Sequence, residues 1–466
     1  MTKLYTARWI LPDASSLIES GAVAIEASQV IAVGSRDELV SQFPKAPVRD
    51  FGEAAILPGF VNAHSHLELT AMRGYLECEE ADFFSWLRKL TIARLERMTP
   101  DDLYVSAAWG AIEAARAGVT CVGDASDAAS TSMRALSDVG LRGIVYQESF
   151  GPNPNEAHEN FDKLREKVAH LREYETDLVN IGISPHAPYS VSAPQLELIA
   201  EFAIAEKLPL MMHAAESEAE SLFMQEGHGA FAENLAQRGI EWRAPGISSI
   251  QYLARHGILQ TRPLLAHCVR VDDADLETIK GAGAKIAHCP KSNAKLGHGR
   301  APFAVFIEKG IKVGFGSDSV ASNNTCDMLE EARFAILMAR GTVGVNGAVQ
   351  KLNAEIALEA LTMGGARALG FETRMGALVE GAQADMIAVA LNGAHQVPLY
   401  DPRTALIFSS SGRDVLMTMV AGKEVFSEGR VLTVDEDRLR ARMKEILKTV
   451  TSDWQESKVQ SPKPNI

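Results

Sequence analysis

The chain is poor in what several large protein classes need. It has five cysteines (Cys78, Cys121, Cys268, Cys289, Cys326), an odd number, widely spaced and without a CxxC pair. That argues against a disulfide framework and for a reducing compartment. No stretch approaches the roughly 18 uninterrupted apolar residues of a membrane span. The opening MTKLYTARWILPDASS lacks the apolar core and small-residue cleavage pattern of a leader. The cytoplasm is therefore the expected location. Basic residues are in deficit as well: 46 Lys and Arg against 60 Asp and Glu leave a formal charge of −14. Nucleic acid and anionic membranes are poor partners for such a surface, and a small-molecule substrate remains. There are no internal repeats and no low-complexity tracts.

What is present points to a large folded body. A hydrophobic share of 46% beside 23% charged residues supports a sizeable core, and 466 residues suit one barrel-sized domain with a smaller satellite. The first 57 residues read as short strands, Leu4–Leu11, Ala22–Glu26 and Val30–Val33, rich in β-formers and broken by polar turns. After Pro58 the rhythm changes: short apolar runs ending in polar residues alternate with longer helical stretches. Eight runs follow, around Phe60–His66, Val119–Asp124, Gly143–Glu148, Val179–His186, Leu208–His213, Leu264–His267, Lys285–Cys289 and Lys312–Asp318. Helical patterns over Leu103–Ala117, Phe161–Tyr174, Pro194–Ala205 and Cys326–Ala339 lie between them. This is α/β patterning, and it predicts a (β/α)8 TIM barrel over residues 58–370. Strands return at Ala377–Leu378, Asp385–Val389, Val415–Val420 and Lys423–Phe426. The terminal segments 1–57 and 371–434 are expected to form one small β-sandwich domain built from both termini. Residues 435–466 read as a closing helix, Arg438–Val450, and a polar tail, SKVQSPKPNI.

In such a barrel the reactive groups sit at the C-terminal ends of the strands. The first run ends in His64-Ser-His66, the fourth in His186, the fifth in His213, the sixth in His267 and the eighth in Asp318. Residues at i and i+2 on a strand share a face, so His64 and His66 can reach a single ion. His213 and Asp318 close the site from the far side of the ring. Three neutral imidazoles and a carboxylate suit one zinc-like divalent cation, with Fe2+ the alternative and room left for water. A lone histidine at a strand end is more often structural; so many strand ends carrying His or Asp, one as HxH, favour a metal site. His158, His170, His228, His256, His298 and His395 lack such partners and read as solvated. His288, in Ala287-His-Cys-Pro290, is read equally as structural or as support behind the site. Glu216 follows His213 by three residues, and a turn after the strand would bring its carboxylate beside an activated water. There it can carry a proton to a ring nitrogen. The bland alternative is a carboxylate opening the next helix.

Leu57-Pro-Gly-Phe-Val-Asn-Ala-His-Ser-His66 resembles the opening strand of the amidohydrolase superfamily. Ser184-Pro-His-Ala-Pro-Tyr189, His288-Cys-Pro-Lys-Ser-Asn293 and Gly316-Ser-Asp-Ser-Val-Ala-Ser-Asn-Asn324 are similar, more narrowly, to its deaminase and chlorohydrolase branch. The resemblance runs from about Leu57 to Met386, with the motifs in family order. It implies that His64, His66, His213 and Asp318 hold the metal and that Glu216 shuttles the proton. It further implies that His267 orients or polarises the nucleophile, that His186 touches substrate, and that Asp318 doubles as general base. His186 stands where two-metal relatives carry a carboxylated lysine, so one ion is expected. The implied chemistry is hydrolytic deamination: activated water attacks the amine-bearing carbon, Glu216 protonates the adjacent ring nitrogen, and ammonia leaves.

The substrate is less legible. Glu68 points the same way as His66 if the strand continues, and would meet a ring or sugar donor; a surface carboxylate is the other reading. Trp86, in Phe83-Phe-Ser-Trp-Leu87, either stacks on a heterocycle or packs a loop. The third run ends Tyr146-Gln-Glu-Ser-Phe-Gly151, where adenosylhomocysteine-type deaminases generally place an arginine. Gln147 and Glu148 in that place are candidate substrate contacts facing the site, and they argue against a carboxylate-tailed substrate. The His-Leu-Glu-Leu and Gln-Glu-Ser-Phe-Gly wording resembles aminodeoxyfutalosine deaminases of menaquinone biosynthesis more closely. S-adenosylhomocysteine, methylthioadenosine or adenosine deamination is the alternative, triazine-type dechlorination a lesser one. A binding scaffold without activity is the reading from another class; the intact ligand positions and Glu216 weigh against it. Relatives are often dimers or larger, so a homo-oligomer is compatible with the sequence.

Overall fold

The eight apolar runs are eight parallel strands in the computed structural model, which describes residues 1–343 and 351–451. They are β1 (Phe60–Ser65), β2 (Val119–Ser126), β3 (Arg142–Ser149), β4 (Val179–Pro185), β5 (Met211–Ala214), β6 (Leu264–His267), β7 (Lys285–His288) and β8 (Val313–Phe315). β1 to β4 pair in sequence order in one sheet and β5 to β8 in a second. Single parallel bridges join the two sheets at both seams, Ile183 with Leu210 and Ser65 with Asp318. Backbone bonds from Ile183 N to Pro209 O (3.0 Å) and from Asp318 N to His64 O (2.9 Å) reinforce them. The strand pairings thus run around a ring. Strands such as β2 and β3 are buried along their whole length, as expected when both faces of a parallel sheet are covered.

Two helices matter for the site. Helix α1 (Phe83–Arg97) is capped by Asp82, whose side chain accepts the Phe84 N–H. Helix α2 (Pro100–Arg116) begins with Pro at its first position and a Thr99/Asp102 capping box, a strong local start signal. The closing helix, Glu436–Val450, packs on α2 and is tied to it by Arg442, which reaches Asp101 at 2.7 Å and Asp102 at 3.2 Å. The tail expected beyond it, residues 457–466, lies outside the described residues. Among the described residues no helix is long and apolar enough to cross a membrane.

The terminal segments meet, and their strands pair into one continuous nine-stranded sheet. The reason lies in Ala54–Pro58. This strand pairs parallel with Lys3–Ile10 on one side and antiparallel with Met386–Ala390 on the other, so it splices the N- and C-terminal sets together. Ala377–Leu378, expected as a strand, is irregular. Gly376 and Gly381 on either side adopt φ of +97° and +85°, and the Leu378 N–H bonds to Pro12 O instead of a ladder.

Arg142, the first residue of β3, clamps the ring to this sheet. Its guanidinium donates to both oxygens of Asp385, at 2.8 and 3.2 Å, and the two side chains are 1% and 0% exposed. Asp385 also accepts the Ala421 N–H at 2.7 Å. Removing either partner leaves a buried charge uncompensated. Asp385→Ala and Arg142→Ala are each expected to cost about 3–5 kcal/mol, read as a lower midpoint in chemical denaturation. The double variant should cost less than the sum, because neither charge is then stranded.

Candidate active site

The ring brings His64, His66, His213, His267 and Asp318 together. The ligand atoms of His64, His66 and His213 lie within 4.8 Å of one another, and so do those of His64, His267 and Asp318. Asp318 Oδ1 is 3.5 Å from His64 Nε2 and 3.6 Å from His66 Nε2. Its other oxygen is held by Ser292 Oγ at 2.5 Å and Ser322 Oγ at 3.0 Å. The chain leaves its strands in strained form here: His267 and Asp318 have φ of +73° and +56°. Such conformations cost a non-glycine residue about 1–3 kcal/mol and gather at functional sites.

A hydrogen bond fixes which nitrogen of His213 is bare. His213 Nδ1 is 2.9 Å from the carbonyl oxygen of His186. A carbonyl only accepts, so Nδ1 carries the proton and Nε2 presents its lone pair. His64 Nδ1 faces the Met211 thioether at 3.1 Å, and its Nε2 is buried with no hydrogen-bond partner among the described residues. His66 Nε2 and His213 Nε2 stand 3.2 Å apart. Burial holds all three imidazoles neutral, His64 and His213 down at about 4 and His66 at about 3. Bare lone pairs aimed at one another inside a protein are what a cation requires, and three imidazole nitrogens with one carboxylate oxygen suit zinc.

Beside this set lies Glu216. Burial would raise its carboxyl, but His267, His298 and His213 hold it down at about 2. It is an anion at neutral pH, able to take a proton. His267 Nε2 is 3.7 Å from Glu216 Oε1, and its Nδ1 donates to Asn293 Oδ1 at 2.8 Å. Burial opposes the charge on His267, yet Glu216 and Asp318 outweigh it and raise its pKa. His298 corrects the expectation of a solvated ring: it is buried, with Nε2 3.3 Å from Glu216 Oε1. His158, His170, His228 and His395 are exposed, and His256 is half-buried against Glu197. His288 is buried and stacks on Phe303, behind the cavity.

A cavity of about 570 Å³ opens onto this cluster, the size range of small-molecule sites. Phe83, Trp86 and Leu90 of α1 form one wall; Phe150 and Tyr189 line the cavity from loops, and Phe231 from the helix Ala230–Gln237. His186, Glu148, Trp86 and Glu68 line it as expected. Glu68, however, is not free to meet a donor. The chain turns into a 3-10 segment at Leu67, and the Glu68 carboxylate accepts from Ser126 Oγ, Ala128 N (3.0 Å) and Arg94 (3.0 Å). Gln147 is a correction. Alternation along β3 turns Tyr146 and Glu148 inward and Gln147 away, where its amide donates to the carbonyls of Asp127 and Glu148. Glu148 Oε1 has no hydrogen-bond partner among the described residues; burial first, then the Glu68 charge, push its carboxyl well up. Arg94, bonded to both Glu68 and Asp127, was missed, because nothing in its sequence setting marks a cavity-facing turn of α1.

A model described as "Amidohydrolase family" matches residues 55–425. A 5-methylthioadenosine/S-adenosylhomocysteine deaminase of Syntrophobacter fumaroxidans is 31% identical over 435 residues, 93% of this chain and 94% of the relative. Its counterpart from Symbiobacterium thermophilum is 32% identical over 434 residues, 92% and 94%. Among solved structures, an adenosine deaminase from Xanthomonas campestris with bound zinc has a TM-score of 0.83 at 26% identity, covering 96% of this chain and 98% of that one. A zinc-complexed atrazine chlorohydrolase of Arthrobacter aurescens TC1 has a TM-score of 0.82 at 23% identity, covering 95% and 99%, a likeness of fold alone. The chain belongs to the amidohydrolase family. It is a hydrolase of the class that acts on carbon–nitrogen bonds in cyclic amidines.

Metal-free protein should weaken in mild acid. Burial depresses the His64, His66 and His213 pKa values to about 4, 3 and 4, so below about 6.5, the free-imidazole pKa, the unfolded chain binds more protons. Stability of chelator-treated protein is therefore expected to fall as pH drops from about 6.5 toward these values. Urea midpoints across that range measure it, and a flat profile would contradict the burial of three neutral imidazoles.

Proposed function

We propose that the chain is a single-metal deaminase that removes the exocyclic amine of an adenine nucleoside and releases ammonia. The observation that carries the reading is the placement of Glu216 and His267 beside three bare imidazole nitrogens and Asp318, at the end of a cavity of nucleoside size. His64, His66, His213 and Asp318 would hold one divalent ion, zinc with Fe2+ the alternative. When bound, such an ion brings the pKa of a water toward neutrality. Asp318 Oδ1 accepts a proton from the attacking water, and His267 steadies the oxygen as it adds to the amine-bearing carbon. Glu216, an anion in the resting site, takes the other proton of the attacking water and delivers it to the adjacent ring nitrogen, so charge does not build up on the ring. As the tetrahedral carbon collapses, the proton held by Asp318 passes to the amine, ammonia leaves and a carbonyl remains. His186 and Glu148 face the substrate, and Trp86 offers a ring for stacking.

We read the strand ring as a (β/α)8 barrel spanning 58–370. The terminal domain comprises 1–57 with 371–434, and 435–466 forms an appended helix and tail. The cytoplasm fits five free cysteines. Two substrate readings have support. Aminodeoxyfutalosine is favoured by the wording around His66 and Glu148; the thioether nucleosides are supported by the names of the relatives. A panel of aminodeoxyfutalosine, methylthioadenosine, S-adenosylhomocysteine and adenosine, assayed for ammonia release, separates them. Glu216→Gln should keep its zinc while losing about 100- to 10,000-fold in kcat. Retained turnover would remove Glu216 from the mechanism, and no release from any panel member would remove the deaminase reading.

A further inference from the structure

Glu216 is fixed through its main chain by a second carboxylate. Glu220 accepts the N–H groups of Ala215 (2.8 Å) and Glu216 (2.9 Å), and Ser249 donates to it at 2.5 Å. This pins the turn at Ala215, where φ is +52°. It leaves the Glu216 side chain its own rotamers, only one of which points a given oxygen at substrate. Something else must choose.

His298 stands where that choice is made. It is 4% exposed and does not line the cavity. Among the described residues its Nε2 has no aligned hydrogen-bond partner, and it lies 3.3 Å from Glu216 Oε1, closer than His267 Nε2 at 3.7 Å. A buried nitrogen left unpaired is unfavourable, so ring and carboxylate both gain by keeping this approach. The imidazole is placed in turn by Phe83, whose ring meets it edge-on at 4.5 Å and 82°. Phe83 is the first residue of α1 and part of the cavity wall. A chain of contacts therefore runs from the wall, through Phe83 and His298, to the proton carrier.

We propose that His298 is a positioning residue that selects the Glu216 rotamer facing the substrate, with Phe83 holding His298 in place. The inference rests on Glu216 carrying the proton. A misplaced catalytic group costs about 100-fold even when the fold is intact, so His298→Ala should lower kcat by about that factor while zinc content and KM stay near the parent values. His298→Gln, whose amide nitrogen reaches the same oxygen, should recover most of the loss. A crystal structure of His298→Ala should show Glu216 in a different rotamer.

The decisive comparison is a double-mutant cycle with the zinc-loaded enzyme and the panel nucleoside of highest kcat/KM. In Glu216→Asp the carboxylate is one methylene shorter and withdraws from His298, so adding His298→Ala should bring little further loss. The same loss in both backgrounds would overturn the proposal, and so would an unchanged kcat in the single variant. Where His298→Ala does not fold, His298→Asn carries the same test, because its shorter amide cannot span the gap. Turnover by Glu216→Gln would remove the parent reading; an inactive Glu216→Gln beside a fully active His298→Ala would remove this inference alone.

Discussion

Two imidazole nitrogens facing each other at 3.2 Å, as those of His66 and His213 do, repel unless a proton or a positive ion stands between them. The site is organised around that constraint. The His186 carbonyl holds the His213 tautomer, Met211 faces His64 Nδ1, and Ser292 and Ser322 take one Asp318 oxygen so that the other looks inward. Burial then keeps the rings neutral. Each contact is modest alone, but together they leave a divalent cation as the group that relieves the repulsion.

The fold makes this arrangement affordable. Parallel strands buried on both faces give a ring rigid enough to hold side chains from β1, β5, β6 and the end of β8 at one point. Residues there depart from strand geometry, His267, Cys268 and Asp318 all at positive φ. Strain of that kind persists where the surroundings over-determine it, and the Arg142–Asp385 clamp beneath the ring and the capped helix α2 around it are part of those surroundings.

Much of the site was legible because its residues fall at strand ends, where a period of two and a polar terminus leave a readable mark. His64, His66, His213, His267 and Asp318 were found that way, and the strand ring with them. The terminal sheet was less legible because pattern alone does not say which strand splices two segments; Ala54–Pro58 does so through pairings with partners far away in sequence. Gln147 was assigned inward because register within β3 decides its face, and one residue's slip reverses it. His298 was set aside for a related reason. It follows a short helix in a loop, where no periodicity marks direction, and only the folded chain shows it beside Glu216.

The chemistry follows from the same geometry. Glu216 is an anion among imidazoles, Asp318 is held with one oxygen free, and an aromatic-walled cavity stands open to a planar ring. X-ray absorption fine structure of the zinc-loaded protein tests the underlying claim most directly. One zinc bound by three imidazole nitrogens and oxygen at about 2.0–2.2 Å is predicted. A spectrum without imidazole scattering, or with a second metal at about 3.5–4 Å, would contradict it.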